Sequence, residues 1–141
     1  MHSTTEIRIA VLVNHPPHTA FWSEVKQAFV DVFSAVAPHA RVEFFDPIVL
    51  GEYPNPKDYD LTILSGGKGN SLDSDPWILR QIDFVKYMVE KFPTKKLMGI
   101  CFGHQLIARA LGGKARNIPS GPIVRLECRK AQSISYHLLL F

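Results

Sequence analysis

Residues Gly99-Ile100-Cys101-Phe102-Gly103 set a cysteine between two glycines, where an apolar run, Lys96 to Ile100, meets a helix-forming run, Leu106 to Leu111, closed by Gly112-Gly113. The first run predicts a short buried strand and the second a helix. A chain that turns from strand to helix within so few residues needs small neighbours around the turn. The spacing is the thiol counterpart of the G-x-S-x-G elbow, which lifts a nucleophile above the edge of an α/β sheet. Cys101 is therefore the candidate nucleophile, with Gly99 and Gly103 as the elbow glycines. Its thiol would sit at a helix N-terminus, where unpaired N–H groups and the macrodipole favour the reactive thiolate. A free cysteine is more often a small buried hydrophobe. The paired glycines and the following helix decide for the nucleophile.

The rest of the chain supplies a matching scaffold. Ile7 to Val13 is a β-rich apolar run that reads as the first, central strand of a parallel sheet. Asn14-His15-Pro16-Pro17-His18 reads as a turn. Trp22, Val25, Phe29, Val32, Phe33 and Val36 then recur at three- and four-residue steps, which predicts an amphipathic helix ended by Pro38. Arg41 to Phe45 predicts a second strand, Pro47 to Pro56 a long loop and Leu61 to Leu64 a third strand entering a Gly66-Gly67 turn. Asp75-Pro76 opens a helix striped by Ile78, Ile82, Val85, Val89 and Phe92, and Pro93 closes it. The alternation predicts an α/β fold, a doubly wound, mainly parallel sheet flanked by helices. Such sheets bind ligands at the C-terminal ends of their strands, the edge that would carry both Cys101 and Gly66-Gly67.

Composition narrows the partners. Of 141 residues, 46% are hydrophobic and 21% charged, which suffices for one globular core. The net charge of +3 comes from scattered Lys and Arg with no basic stripe, so nucleic acid is not an expected partner. No apolar stretch approaches the roughly 20 residues of a membrane span, and the first residues lack a signal-peptide pattern. Two cysteines, Cys101 and Cys128, make no disulfide scaffold, so a reducing cytosol or the nucleus is the expected compartment. Neither Ser65-Gly66-Gly67-Lys68 nor Gly112-Gly113-Lys114 completes a phosphate loop. His15 and His18 flank two prolines without a neighbouring carboxylate or cysteine, so no metal and no cofactor is expected. His104 lies three residues past the cysteine, a poor place for its base, and reads as structural or exposed.

Gly-Ile-Cys-Phe-Gly-His-Gln, followed by Ala-Leu-Gly-Gly-Lys, resembles the nucleophile motif of the class I glutamine amidotransferases, and most nearly their small stand-alone, γ-glutamyl-peptidase-like members. The resemblance covers about Ile7 to Pro122. It implies a flavodoxin-like sheet and cysteine-dependent hydrolysis of the γ-amide of glutamine, or of γ-glutamyl peptides, through a γ-glutamyl thioester. It implies that backbone N–H groups at Gly66, Gly67 and Phe102 form an oxyanion hole and that Gln105 contacts the substrate, a small molecule. Lys68 stands where the family often has proline.

The same resemblance leads one to expect a histidine followed two residues later by glutamate, as base and orienting acid. The sequence after the elbow holds no His-x-Glu; its one late histidine, His137, precedes Leu138-Leu139. Residues 1–122 are thus expected to form an amidotransferase-like domain incomplete at its C-terminal side, and 123–141 a divergent tail, as in a truncated gene product. Such a chain would turn over poorly and expose a sheet edge prone to self-association. A non-catalytic fragment, or a DJ-1-like binding or stress protein, is the alternative.

Overall fold

The computed structural model describes residues 5–118 and 121–127. Cys128 and His137 lie outside the described residues. Four parallel strands, β1 (Arg8–Asn14), β2 (Arg41–Phe45), β3 (Leu61–Gly67) and β4 (Lys96–Gly99), form one sheet in the order β2-β1-β3-β4. Helix α1 (Ala20–Val36) joins β1 to β2, α2 (Pro76–Lys91) joins β3 to β4, and α3 (Phe102–Ala110) follows β4. An antiparallel hairpin, β5 (Lys114–Ile118) and β6 (Gly121–Glu127), comes after α3. The α/β architecture and the interior place of β1 agree with the sequence pattern. The hairpin was not foreseen, and its second strand straddles the boundary drawn at residue 122.

Side chains alternate across the sheet because successive strand residues point to opposite faces. Leu12 and Leu64 join Ile78, Ile82, Phe84, Val85 and Met88 of α2 and Phe102, Leu106 and Ile107 of α3 in one buried core. Ile9, Val11, Val13 and Ile63 face the other way, toward Trp22, Val25, Phe29 and Phe33 of α1. The two layers are unequal. No residue of α1 is fully buried, and Val32 and Val36 are 55% and 71% exposed.

One element end was not read from the sequence, and two others differ from the reading. Thr19 caps α1: its hydroxyl accepts from Trp22 N at 3.2 Å and donates to Pro16 O at 2.8 Å. Asp75 holds the cap position of α2, yet its backbone carbonyl rather than its side chain receives the first N–H groups, from Ile78 and Leu79. Gly66 and Gly67 form no turn. They continue β3, with Gly67 opposite Asn14 after a register shift. Neither has a positive φ. Gly67 instead permits close approach, since a Cβ there would overlap the Asn14 carbonyl oxygen.

Helix α3 lies directly on the sheet. A Cβ on Gly103 would collide with the Leu64 carbonyl, and one on Gly99 would sit 2.5 Å from His104 N. Backbone atoms cannot yield as a flexible side chain can, so Gly103→Ala must push α3 off β3. We expect Gly103→Ala to lose at least about 1–3 kcal/mol of stability, the usual cost of overpacking, read as a lower urea midpoint. An unchanged midpoint would contradict this packing.

Candidate active site

Cys101 occupies the sharp passage from β4 to α3 with φ 49° and ψ −109°. Among the described non-glycine residues, only His18 shares a positive φ. A side chain held in so sparsely populated a region costs on the order of 1–3 kcal/mol, and such strain gathers at functional sites. The neighbours that hold it are identifiable. Ile100 N donates to Leu64 O at 3.0 Å, Gly103 N to Ile100 O at 2.9 Å, and Gln105 N to Cys101 O at 3.0 Å. Phe102 is buried and stacks its ring 5.5 Å from Trp77, anchoring the first turn of α3 in the core. Cys101 itself is exposed and free.

Gly66 is the residue that the fold brings against the cysteine. A Cβ built on Gly66 would lie 3.7 Å from Cys101 Cβ, an ordinary contact, so the end of β3 lies against the β4–α3 turn. Phe102 N–H, the first amide of α3, has no carbonyl four residues earlier within the helix. Gln105 lies half-buried one turn further along α3, and His104 is half-buried beside it.

Behind Gly66 lies a polar network that the sequence reading missed. Asn14, at the end of β1, and Ser65 and Gln81 are all buried. Asn14 N donates to Ser65 Oγ at 2.8 Å, Asn14 Nδ2 to Ser65 O at 2.9 Å, and Gln81 Nε2 to Asn14 Oδ1 at 2.8 Å. Ser65 Oγ in turn donates to Gly66 O at 2.8 Å. The available signal was a polar pair, Asn14 and Ser65, closing two adjacent apolar strands, with a lone amide on the apolar stripe of α2.

On the α1 side, a cavity of about 390 Å³ runs between α1 and strands β3 and β4. Its walls are apolar, from Val25, Phe29, Phe33, Ile63 and Met98, and it reaches Ser65, Gly66 and His15. His15 stacks on Phe21 at 5.7 Å, and Lys68 Nζ sits 4.0 Å from the centre of the same ring. The ligand edge thus carries a half-buried imidazole with an ammonium nearby. Arg109 Nη1 donates to Ser71 O and Asp73 O, each at 2.8 Å, tying the loop after β3 to α3. The Pro47–Pro56 loop is fixed elsewhere, through Tyr53 packed on Phe84 at 5.0 Å. Among the described residues, no group of three or more His, Cys, Asp or Glu could hold a metal ion, and no helix is long and apolar enough to cross a membrane.

Burial holds His15 below the ordinary imidazole value of 6.5, and the charge on Lys68 pushes the same way. Burial alone lowers His104. Both groups therefore bind protons more readily unfolded than folded, so stability is retained above about pH 6.5 and falls as pH drops below it. The urea midpoint should be lower at about pH 5.5 than at about pH 7.5, and Lys68→Ala should raise the His15 pKa in an NMR titration. A His15 resonance that ignores Lys68→Ala would contradict the placement of the two groups.

Comparison with known proteins bears on this arrangement. Residues 25–137 match the model of the family described as glutamine amidotransferase class-I. The chain is 41% identical over 128 residues to the glutamine amidotransferase-like protein chyE of Penicillium rubens, covering 90% of this chain and 54% of that one. It is 30% identical over 125 residues to gamma-glutamyl peptidase 2 of Arabidopsis thaliana, covering 86% and 50%. A solved glutamine amidotransferase from Thermotoga maritima superposes with a TM-score of 0.61 at 19% identity, over 79% of this chain and 45% of that one, a likeness of fold. The chain spans about half the length of these relatives. A match over so much of the chain places it in the class-I glutamine amidotransferase family.

Proposed function

We propose that Cys101 is the nucleophile of a glutamine amidotransferase-like site that acts on the γ-amide of glutamine or of γ-glutamyl peptides. The observation that carries this reading is the positive-φ Cys101, exposed at the β4–α3 turn beside Gly66, where an added Cβ would lie 3.7 Å from Cys101 Cβ. Sγ would add to the γ-carbonyl carbon, placing negative charge on its oxygen. Backbone N–H groups of the Gly66-Gly67 strand end and of Phe102 would receive that charge. Preorganised donors in such a place are usually the largest single catalytic contribution. The C–N bond then breaks, ammonia or an amine leaves with a proton, and water hydrolyses the γ-glutamyl thioester to free glutamate. Gln105, one turn along α3, would contact the glutamyl group. Names of the relatives, a glutamine amidotransferase-like protein and a gamma-glutamyl peptidase, support this substrate class.

The leaving amine needs a proton and the attacking thiol must lose one. The 141 residues carry no His-x-Glu after Cys101. Loss of general acid–base help is worth about 10²–10⁴-fold, so the chain as given should release glutamate slowly, through Cys101 alone.

The test is glutamate release from glutamine and from γ-glutamyl dipeptides, with acid-quenched peptide mapping for the thioester. We expect slow release and a γ-glutamyl adduct on Cys101, both lost in Cys101→Ala. Equal release by Cys101→Ala, with no adduct on the parent chain, would refute the reading. Gly66→Ala should leave the melting temperature nearly unchanged, because its Cβ makes only an ordinary contact. Its methyl would lie 3.7 Å from Cys101 Cβ, in the space that the substrate carbonyl must enter, and should lower adduct formation by crowding that carbonyl. Full adduct formation in Gly66→Ala would remove that strand from the site.

A further inference from the structure

We infer that Asn14 and Ser65 are positioning residues, which lock two successive peptide planes so that the N–H groups of Gly66 and Gly67 keep a fixed direction. The inference rests on the reading that this strand end supplies the oxyanion donor. A trans peptide is planar, and its C=O and N–H point to opposite sides. Whatever holds the carbonyl therefore aims the amide of the following residue.

Both carbonyls are held. Asn14 Nδ2 holds Ser65 O at 2.9 Å, which fixes the plane that carries Gly66 N–H. Ser65 Oγ holds Gly66 O at 2.8 Å, which fixes the plane that carries Gly67 N–H. Ser65 Oγ is itself oriented by Asn14 N at 2.8 Å, so its one proton is left for Gly66 O. Glycine gives such clamping a purpose, since without side chains the backbone at the end of the strand has more conformational freedom.

The clamp is tied into the core. Gln81 Nε2 reaches Asn14 Oδ1 at 2.8 Å from a fully buried position on α2. A buried amide is costly unless bonded, and this bond sets which way the Asn14 amide faces. With Oδ1 turned to Gln81, Nδ2 is turned to Ser65. The result is a relay from α2 through Asn14 and Ser65 to the backbone opposite Cys101.

Two reactions of Cys101 separate positioning from general structure. Iodoacetamide alkylates a thiolate by displacing iodide and forms no oxyanion. With p-nitrophenyl acetate the thiolate adds to the carbonyl, the ester C–O bond breaks, p-nitrophenolate leaves and an acetyl thioester remains, all through an oxyanion. We expect Ser65→Ala to lower the ratio of acylation to alkylation rates about 10-fold or more, toward the loss of a whole donor. Alkylation itself should change less than about 2-fold, and Ser65→Thr, which keeps a hydroxyl, should restore the ratio. Gln81→Met keeps the volume but frees the Asn14 amide, and should lower the ratio in the same direction; it serves if Ser65→Ala fails to fold. An unchanged ratio in Ser65→Ala or in Gln81→Met would overturn the clamp. If Gly66→Ala still lowers the ratio in that case, the oxyanion reading survives without it; if Gly66→Ala changes nothing either, both fail.

Discussion

Helix α3 rests backbone to backbone on the end of β3, and the rest of the site depends on that contact. With Gly103 against the Leu64 carbonyl and Gly99 against His104, the chain has no room to leave β4 gradually. It must turn within one residue, and that residue is Cys101. The left-handed conformation of Cys101 is thus a consequence of helix–sheet distance. It is stabilised from below by Phe102 in the core and by the hydrogen bond from Ile100 to Leu64. The same contact that strains the cysteine exposes it and brings it opposite Gly66.

The two sides of the sheet are built to different standards. The α2/α3 side is densely packed and carries the elements that define the site: the β4–α3 turn, the buried Phe102 and the Gln81–Asn14–Ser65 relay. The α1 side is half-covered and holds an apolar cavity that reaches Gly66 and His15. Cys101 thus has a closely packed layer behind it and a half-covered one to its side.

Much of this was legible in the sequence. The glycine spacing around Cys101 reported a close approach that the structure contains, and the apolar periods located β1, β2, β4, α1 and α2 within a residue or two, whereas α3 starts four residues before the Leu106 run. What escaped reading were interactions without periodicity. Asn14 and the Gly66-Gly67 pair looked like turn residues because polar and small residues usually end strands. Here Asn14 extends β1 and the glycines extend β3, since Gly67 admits the Asn14 carbonyl and the Asn14 and Ser65 side chains bond to backbone groups of the facing strand. Gln81 was invisible for the opposite reason: one amide on an apolar stripe looks like an exposed helix position until its partner is known. Asp75 read as a side-chain cap, although the backbone does the capping.

The central claim is that the Cys101 turn and the Gly66-Gly67 strand end form one site for a tetrahedral oxyanion. The most direct measurement is a crystal structure of the chain after reaction with a glutamine-analogue diazo ketone, whose carbonyl oxygen stands in for the oxyanion. The expected result is a single Sγ–carbon bond at Cys101, with that oxygen about 2.7–3.1 Å from a backbone N–H of Gly66 or Gly67 and from that of Phe102. An adduct at Cys128, or an adduct on Cys101 whose oxygen points to solvent, would contradict it.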